Sequence, residues 1–196
     1  MRIFRAADYR RMPWKNGGGE TTEIAVSPEG ASVDDFDWRL SMATVASGGP
    51  FSVFAGIDRT LAVLDGDGLS LTVEGMGTTE LTTGSAPLPF PGDAPTGAEL
   101  IGGTVTDLNI MTRRGRLSHR MRRLDVSGTV DIAAAASGLL VFCQSGACHV
   151  SAGGAAVALG ALDTAHFDDA RQTVRIQTDA AARLFLIELS PESRAQ

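Results

Sequence analysis

The sequence predicts an all-β chain of sandwich or barrel type, on three observations: short apolar or alternating runs, turn residues between them, and few long helical patterns. The runs at 60–64, 69–73, 139–143 and 184–187 are of strand length. They are bounded by Asp65-Gly66-Asp67-Gly68, Glu74-Gly75, Ser145-Gly146 and Gly153-Gly154. The 23 glycines supply such turns throughout. One stretch stands apart: residues 130–136, with four consecutive alanines, read as one or two helical turns or as the lead into the apolar strand that follows.

The runs also repeat. A slide of 78 residues sets Leu61, Val63, Gly68 and Gly75 on Leu139, Val141, Gly146 and Gly153. The offset then shrinks, to 77 for Phe90 on Phe167 and to 76 for Leu108 on Leu184. Two tandem copies of one β-unit are expected, with deletions in surface turns. The halves differ in chemistry. The first holds the lysine, both asparagines and both tryptophans, so a site belongs there and the second half is a structural partner.

Composition narrows the function. Hydrophobic residues at 43% of the 196 suffice for a core, and the net charge of −6 argues against nucleic acid. No stretch reaches the length of a membrane span or a signal peptide, so a cytoplasmic protein is expected. Six arginines between 113 and 123 form a basic cluster, but no aromatic is interleaved for base stacking. A solvated linker is expected there. Cys143 and Cys148 flank a tight turn. If Ser145-Gly146 is a two-residue loop the thiols face each other across a hairpin, and a reducing compartment keeps them as half-buried thiols. His119, His149 and His166 show no metal-ligand spacing, and no GxSxG elbow exists, so no metal and no catalytic triad is expected. Acid–base work would fall to Glu20, Glu23 or Asp58.

The candidate site residues lie in four segments. Pro13-Trp14-Lys15-Asn16-Gly17-Gly18-Gly19-Glu20 carries the only lysine of the chain. A lone lysine beside bare backbone N–H groups suits an anion cradle, or is a plain loop. Residues 36–43 alternate, with Phe36, Trp38, Leu40 and Met42 on one face and Asp37, Arg39 and Ser41 on the other. In the segment 48–59, Asp58 and Arg59 point to opposite faces of a strand. On a regular strand over 106–115, Asp107, Asn109 and Met111 share a face, and a buried Asn109 needs hydrogen-bond partners.

Together these motifs resemble the HutD/Ves family. The matching stretches are Pro13 to Gly19 with Thr22-Glu23-Ile24-Ala25, then Phe36-Asp37-Trp38-Arg39-Leu40-Ser41, Gly49-Pro50-Phe51-Ser52, Gly56-Ile57-Asp58-Arg59 and Asp107-Leu108-Asn109-Ile110-Met111-Thr112-Arg113-Arg114. The resemblance implies a cupin-type barrel in two tandem modules, a bicupin, divided as 1–118 and 119–196. It implies no metal centre and no cofactor. It implies a regulatory role in bacterial histidine utilisation, with a small anionic ligand such as N-formylglutamate. Under that reading Lys15 with Arg59 or Arg39 takes the carboxylates. Gly17, Gly18 and Asn16 or Asn109 take the formyl oxygen, Trp14 and Phe54 form an apolar wall, and Glu20 and Asp58 complete the lining. Two other readings stand beside it: a metal-independent cupin enzyme with Glu20 or Asp58 as base, and a homodimerisation module with a vestigial pocket.

Overall fold

The computed structural model describes residues 1–133, 136–168 and 173–192. β1 (Arg2–Phe4) and a 3-10 turn at Ala6–Asp8 open the chain. Next come β2 (Arg10–Pro13), β3 (Gly19–Ser27), β4 (Trp38–Val45), β5 (Gly49–Pro50), β6 (Ile57–Asp65), β7 (Leu69–Val73), β8 (Gly77–Leu81), β9 (Leu88–Pro91), β10 (Thr96–Leu100) and β11 (Val105–Arg113). β12 (Leu117–Ala133), β13 (Gly138–Ser145), β14 (Cys148–Ala152), β15 (Ala155–Leu159), β16 (Thr164–Phe167) and β17 (Thr173–Pro191) follow. The chain divides into two compact units, one of Arg10–Ser118 with Glu192, the other of Met1–Tyr9 with His119–Pro191.

In the 10–118 unit a six-stranded sheet, β2-β3-β4-β11-β6-β9, faces a four-stranded sheet, β5-β10-β7-β8. Leu61 and Val63 of the first sheet meet Leu69, Leu71, Val73, Leu81 and Ala98 of the second in one apolar cluster. Burial of such side chains at ~25 cal/mol per Å² drives the two sheets together. Phe36, Ile57 and Met111 form a second cluster. The other faces of β4, β6 and β11 are buried as well: Leu40, Leu108 and Ile110 are fully buried.

The 119–191 unit is built on a sheet ordered β1-β16-β13-β17-β14-β15, with β12 also paired to β17. Its core is apolar: Leu139, Val141, Cys143, Cys148, Val150, Ile176, Leu184 and Leu186 among others. The opening nine residues, which the sequence division leaves with residues 10–118, pair here instead. Arg2, Ile3 and Phe4 lie opposite His166, Ala165 and Thr164. Beyond them, Tyr9 donates to the Leu162 carbonyl at 2.6 Å and Arg5 pairs with Asp163 at 2.7 Å.

Several sequence expectations are corrected. β13 and β14 do not form a hairpin ladder, because each pairs with β17: Cys143 lies opposite Leu184, and His149 opposite Gln177. The two residues between the strands, Gly146 and Ala147, turn a corner, and both cysteines are buried free thiols. The arginine segment does span the division between the units at Ser118 and His119, but as ordered structure, because residues 117–133 continue as one strand. Arg114 pairs with Asp58 and Asp93, Arg116 with Asp37, and Arg113 donates to the Phe36 carbonyl. Of the 130–136 stretch, residues up to 133 belong to β12; Ala134 and Ala135 lie outside the described residues. The repeat offset does not shrink to 76. Leu61 lies opposite Asn109, and Leu139 opposite Glu188. If Leu61 corresponds to Leu139, cross-strand pairing matches Asn109 with Glu188, an offset of 79.

Candidate functional site

The inner face of the six-stranded sheet is polar at its centre. β4, β11 and β6 lie side by side, so directly opposed residues share a face. Met111 lies opposite both Arg39 and Arg59; Asn109 lies opposite Ser41 and Leu61; Asp107 lies opposite Ala43 and Val63. Glu23 of β3 faces Ser41. Alternation therefore delivers Glu23, Arg39, Ser41, Arg59, Asp107 and Asn109 to the face that also carries Leu61 and Val63. All but Glu23 are buried, and Glu23 is half-buried.

Arg59 is the centre of this arrangement, only 7% exposed. Its guanidinium carbon lies 5.1 Å from the Phe51 and Phe90 ring centres and 5.6 Å from that of Phe54. Three ring faces thus take up part of the charge. The collar is fixed by backbone: Phe51 N–H donates to the Thr96 carbonyl, Phe54 N–H to the Gly92 carbonyl, and Gly92 N–H to the Ile57 carbonyl. Gly92 must lack a side chain, because a Cβ there would lie 2.9 Å from the Ile57 oxygen and 3.1 Å from Arg59 Cδ.

The charges are unequally matched. Arg39 Nε donates to Glu23 Oε2 at 2.7 Å, so that pair is closed. Arg59 has no such carboxylate among the described residues, and its Nε lacks a hydrogen-bond partner. Asp107 Oδ1 and Asn109 Oδ1 are likewise buried without one. Burial pushes the Asp107 carboxyl up to about 7, against the pull of Arg59. Burial also brings Arg59 down to about 10, opposed by Asp107 and reinforced by Arg39. Asp107 is thus the nearest offset to Arg59 but makes no hydrogen bond to it, and whenever its carboxyl holds a proton the interior favours an entering anion.

Of the predicted site residues, Arg39, Arg59, Asn109 and Phe54 are brought together here. The others are not. The 13–20 loop joins β2 to β3 at the end of the sheet where Gly19 lies opposite Val45. Six strand positions separate Val45 from Arg39 on β4, ~20 Å of extended chain. Lys15 and Asn16 are exposed there. The expected cradle is also already occupied. Gly17 N–H donates to the Trp14 carbonyl at 3.0 Å, and Gly18 N–H to Asn16 Oδ1 at 3.0 Å. The glycines have backbone reasons. Gly17 sits at φ +70°, and a Cβ on Gly19 would lie 2.4 Å from the Thr44 carbonyl and 2.9 Å from the Trp14 ring. Trp14 instead donates its indole N–H to Thr21 at 2.8 Å. Glu20 approaches Arg11 at 3.5 Å. Asp58, facing away from Arg59, pairs with Arg114 at 2.8 Å.

Asp107, Ser41, Phe51 and Phe90 join the site without having been selected from sequence. Asp107 shared the expected face with Asn109, and an acid alternating with Leu108 and Ile110 in a buried strand was the available signal. Phe51 and Phe90 carry no polar signal. Among the described residues no group of three or more His, Cys, Asp or Glu side chains is arranged to hold a metal ion, and no helix is long and apolar enough to cross a membrane.

Comparison with known proteins places these features in context. The model of the HutD family matches residues 6–186. A 21.2 kDa protein of the region 3′ of hutC in Pseudomonas putida is 37% identical, over 96% of this chain and 97% of its own. Protein Ves of Citrobacter koseri is 39% identical over 71% of this chain and 72% of its own. The solved structure of HutD from Pseudomonas fluorescens, in a formate condition, superposes with a TM-score of 0.82 at 34% identity, covering 98% of this chain and 99% of that one. A cupin 2 conserved barrel domain protein from Leptotrichia buccalis superposes at a TM-score of 0.56 and 12% identity, covering 87% of this chain and 88% of that one. This is a likeness of fold, and it supports a cupin-type β-barrel.

Proposed function

The chain belongs to the HutD family, and on that premise we propose that it is a small-molecule-binding protein of bacterial histidine utilisation. Its ligand is a small carboxylic acid of the N-formylglutamate kind, held inside the 10–118 unit. The observation that carries this reading is Arg59: a buried guanidinium ringed by Phe51, Phe54 and Phe90, with an unpartnered Nε and no carboxylate hydrogen-bonded to it among the described residues. Leaving such a charge unpaired in a protein interior is costly, and a ligand carboxylate relieves it with a charge-assisted pair. Arg39, closed by Glu23, holds the adjoining wall rather than serving as a second anchor. The 119–191 unit, with its apolar core, supports the fold as the second barrel of a bicupin. The tie to histidine utilisation rests on family membership and on the hutC-region relative.

A thermal-shift panel of N-formylglutamate, formiminoglutamate, glutamate, urocanate and histidine tests the reading. A ligand at 100 times its Kd adds about 2.7 kcal/mol of stability. The shift should be lost in Arg59→Met, which keeps the length and apolar contacts of the stem. A panel in which no acid stabilises the protein, or in which Arg59→Met responds like the parent, sinks it.

A second reading has one observation in its favour. The carboxyl of Asp107, pushed up to about 7, is tuned for proton transfer near neutral pH, as a metal-independent enzyme would need. Turnover of the panel compounds, followed by NMR, separates it from simple binding.

A further inference from the structure

β11 presents two buried oxygen acceptors, Asp107 Oδ1 and Asn109 Oδ1, at successive inner-face positions, and neither has a partner. They are 2% and 6% exposed. Arg59, on the adjacent strand, faces the same interior; it is the cation of the trio, and its Nε also lacks a partner. An acid bound at Arg59 therefore reaches a wall that asks for hydrogen-bond donors, not for a second anion.

Resting on the ligand reading above, we propose that this interior selects a carboxylic acid that also carries an N–H donor, of the amide, amidine or ammonium class, and that Asp107 and Asn109 are the acceptors that select it. A plain dicarboxylate would bring only acceptors and leave both oxygens unpaired, the situation that buried polar sites discriminate against most strongly.

The surroundings of Asp107 support its role as acceptor. The charged side chains facing the same interior are Arg59 from β6, Arg39 from β4 and Glu23 from β3. The facing sheet presents the apolar Leu69, Leu71, Val73, Leu81 and Ala98. Arg39 is engaged by Glu23, so Arg59 is the cation that offsets Asp107. When a ligand carboxylate takes over Arg59, Asp107 loses that compensation. A donor supplied by the ligand restores it and keeps the carboxylate ionised.

The test is calorimetric titration of the full chain with three probes: N-formylglutamate, its ester isostere 2-formyloxyglutarate, and glutarate. The ester keeps both carboxylates and the formyl carbonyl but replaces N–H by oxygen. The amide should bind at least about tenfold tighter than the ester or glutarate. That gap should widen between about pH 6 and about pH 8 as Asp107 ionises. In Asp107→Leu, which leaves Asn109 in place, the gap should shrink while the ester still binds, and an unchanged gap overturns the inference. Should that variant fail to fold, Asp107→Asn keeps an acceptor, so its gap should persist but lose its pH dependence. Amide and ester binding within about twofold of each other overturns the inference and leaves the acid-binding reading standing. So does a gap that narrows as pH rises, since Asp107 would then be donating its proton to the ligand. Binding by none of the three acids overturns both.

Discussion

Two neighbouring strand pairs, one in each unit, share a register and differ in what they bury. In the 10–118 unit, Leu61 and Val63 of β6 face Asn109 and Asp107 of β11. In the 119–191 unit, Leu139 and Val141 of β13 face Glu188 and Leu186 of β17. Where the second unit places the fully buried Leu186, the first places a buried acid. Leu186 and Val141 there belong to one apolar cluster, which shows that the position of Asp107 is readily filled with an aliphatic side chain. Arg59, Asp107 and Asn109 are therefore not demanded by the fold, and their burial costs stability that an aliphatic replacement would not. Polar residues kept at that expense are what the proposed ligand site rests on.

The most severe way to break this contrast is to move the acid across. Leu186→Asp places an unpaired carboxyl in the apolar unit and removes a packed side chain. It should destabilise the protein by about 5 kcal/mol or more, read by urea unfolding. A loss below about 2 kcal/mol would show that the second interior tolerates charge as the first does, and the contrast would lose its meaning.

A smaller effect sharpens it. The Asp107 carboxyl lies above its ordinary value in the fold, at about 7. The native state then holds a proton that the unfolded chain releases at about pH 4. The contribution of this group to stability is full below about pH 4 and is lost as pH rises towards about 7. Asp107→Asn cannot titrate. Its stability should match the parent near about pH 4 and exceed it by about 2–4 kcal/mol near about pH 8, as measured by unfolding at the two pH values. A constant difference across that range would mean Asp107 is ionised throughout, held by Arg59.

The smallest expected effect concerns Lys15. Exposed, and ~20 Å of strand from the level of Arg39 and Arg59, it has no part in the interior. Lys15→Ala should leave the thermal shift given by the best acid of the panel within about twofold in Kd, ~0.4 kcal/mol. A tenfold loss would return the 13–20 loop to the site.

Strands such as β6, β7 and β13 were legible because they are short, apolar and bounded by glycine, properties that local sequence records, whereas the long β12 and β17 are not. The site was legible in part. Arg39 and Asn109 alternate with apolar neighbours, and Arg59 opposes Asp58 across a strand, so their shared face followed from a period of two. What separated Lys15 from Arg59 was the nine-residue length of β3 and its pairing with β4, a matter of register between strands. Composition suggested that a lone lysine beside three glycines was chemistry. The turn geometry at Gly17, the closeness of Trp14 to Gly19, and the internal bonds of Asn16 account for that motif as a loop that shapes its own backbone. Asp107 escaped selection because an acid reads as solvent-facing unless both faces of its strand are known to be covered, and that depends on strands distant in sequence.

The pairing of β1 with β16 sets an order of assembly during synthesis. Arg2 leaves the ribosome well before its partner His166 exists. At 5–20 residues per second the wait is roughly 10–30 s. Residues 10–118 are made during that interval and pair with no part of the first strand, so all of their unit but Glu192 is free to fold first. The other unit joins Met1–Tyr9 to strands synthesised after Ser118. β1 therefore has no partner strand until β16 is made, and a chaperone that shields an open strand edge would find its target there.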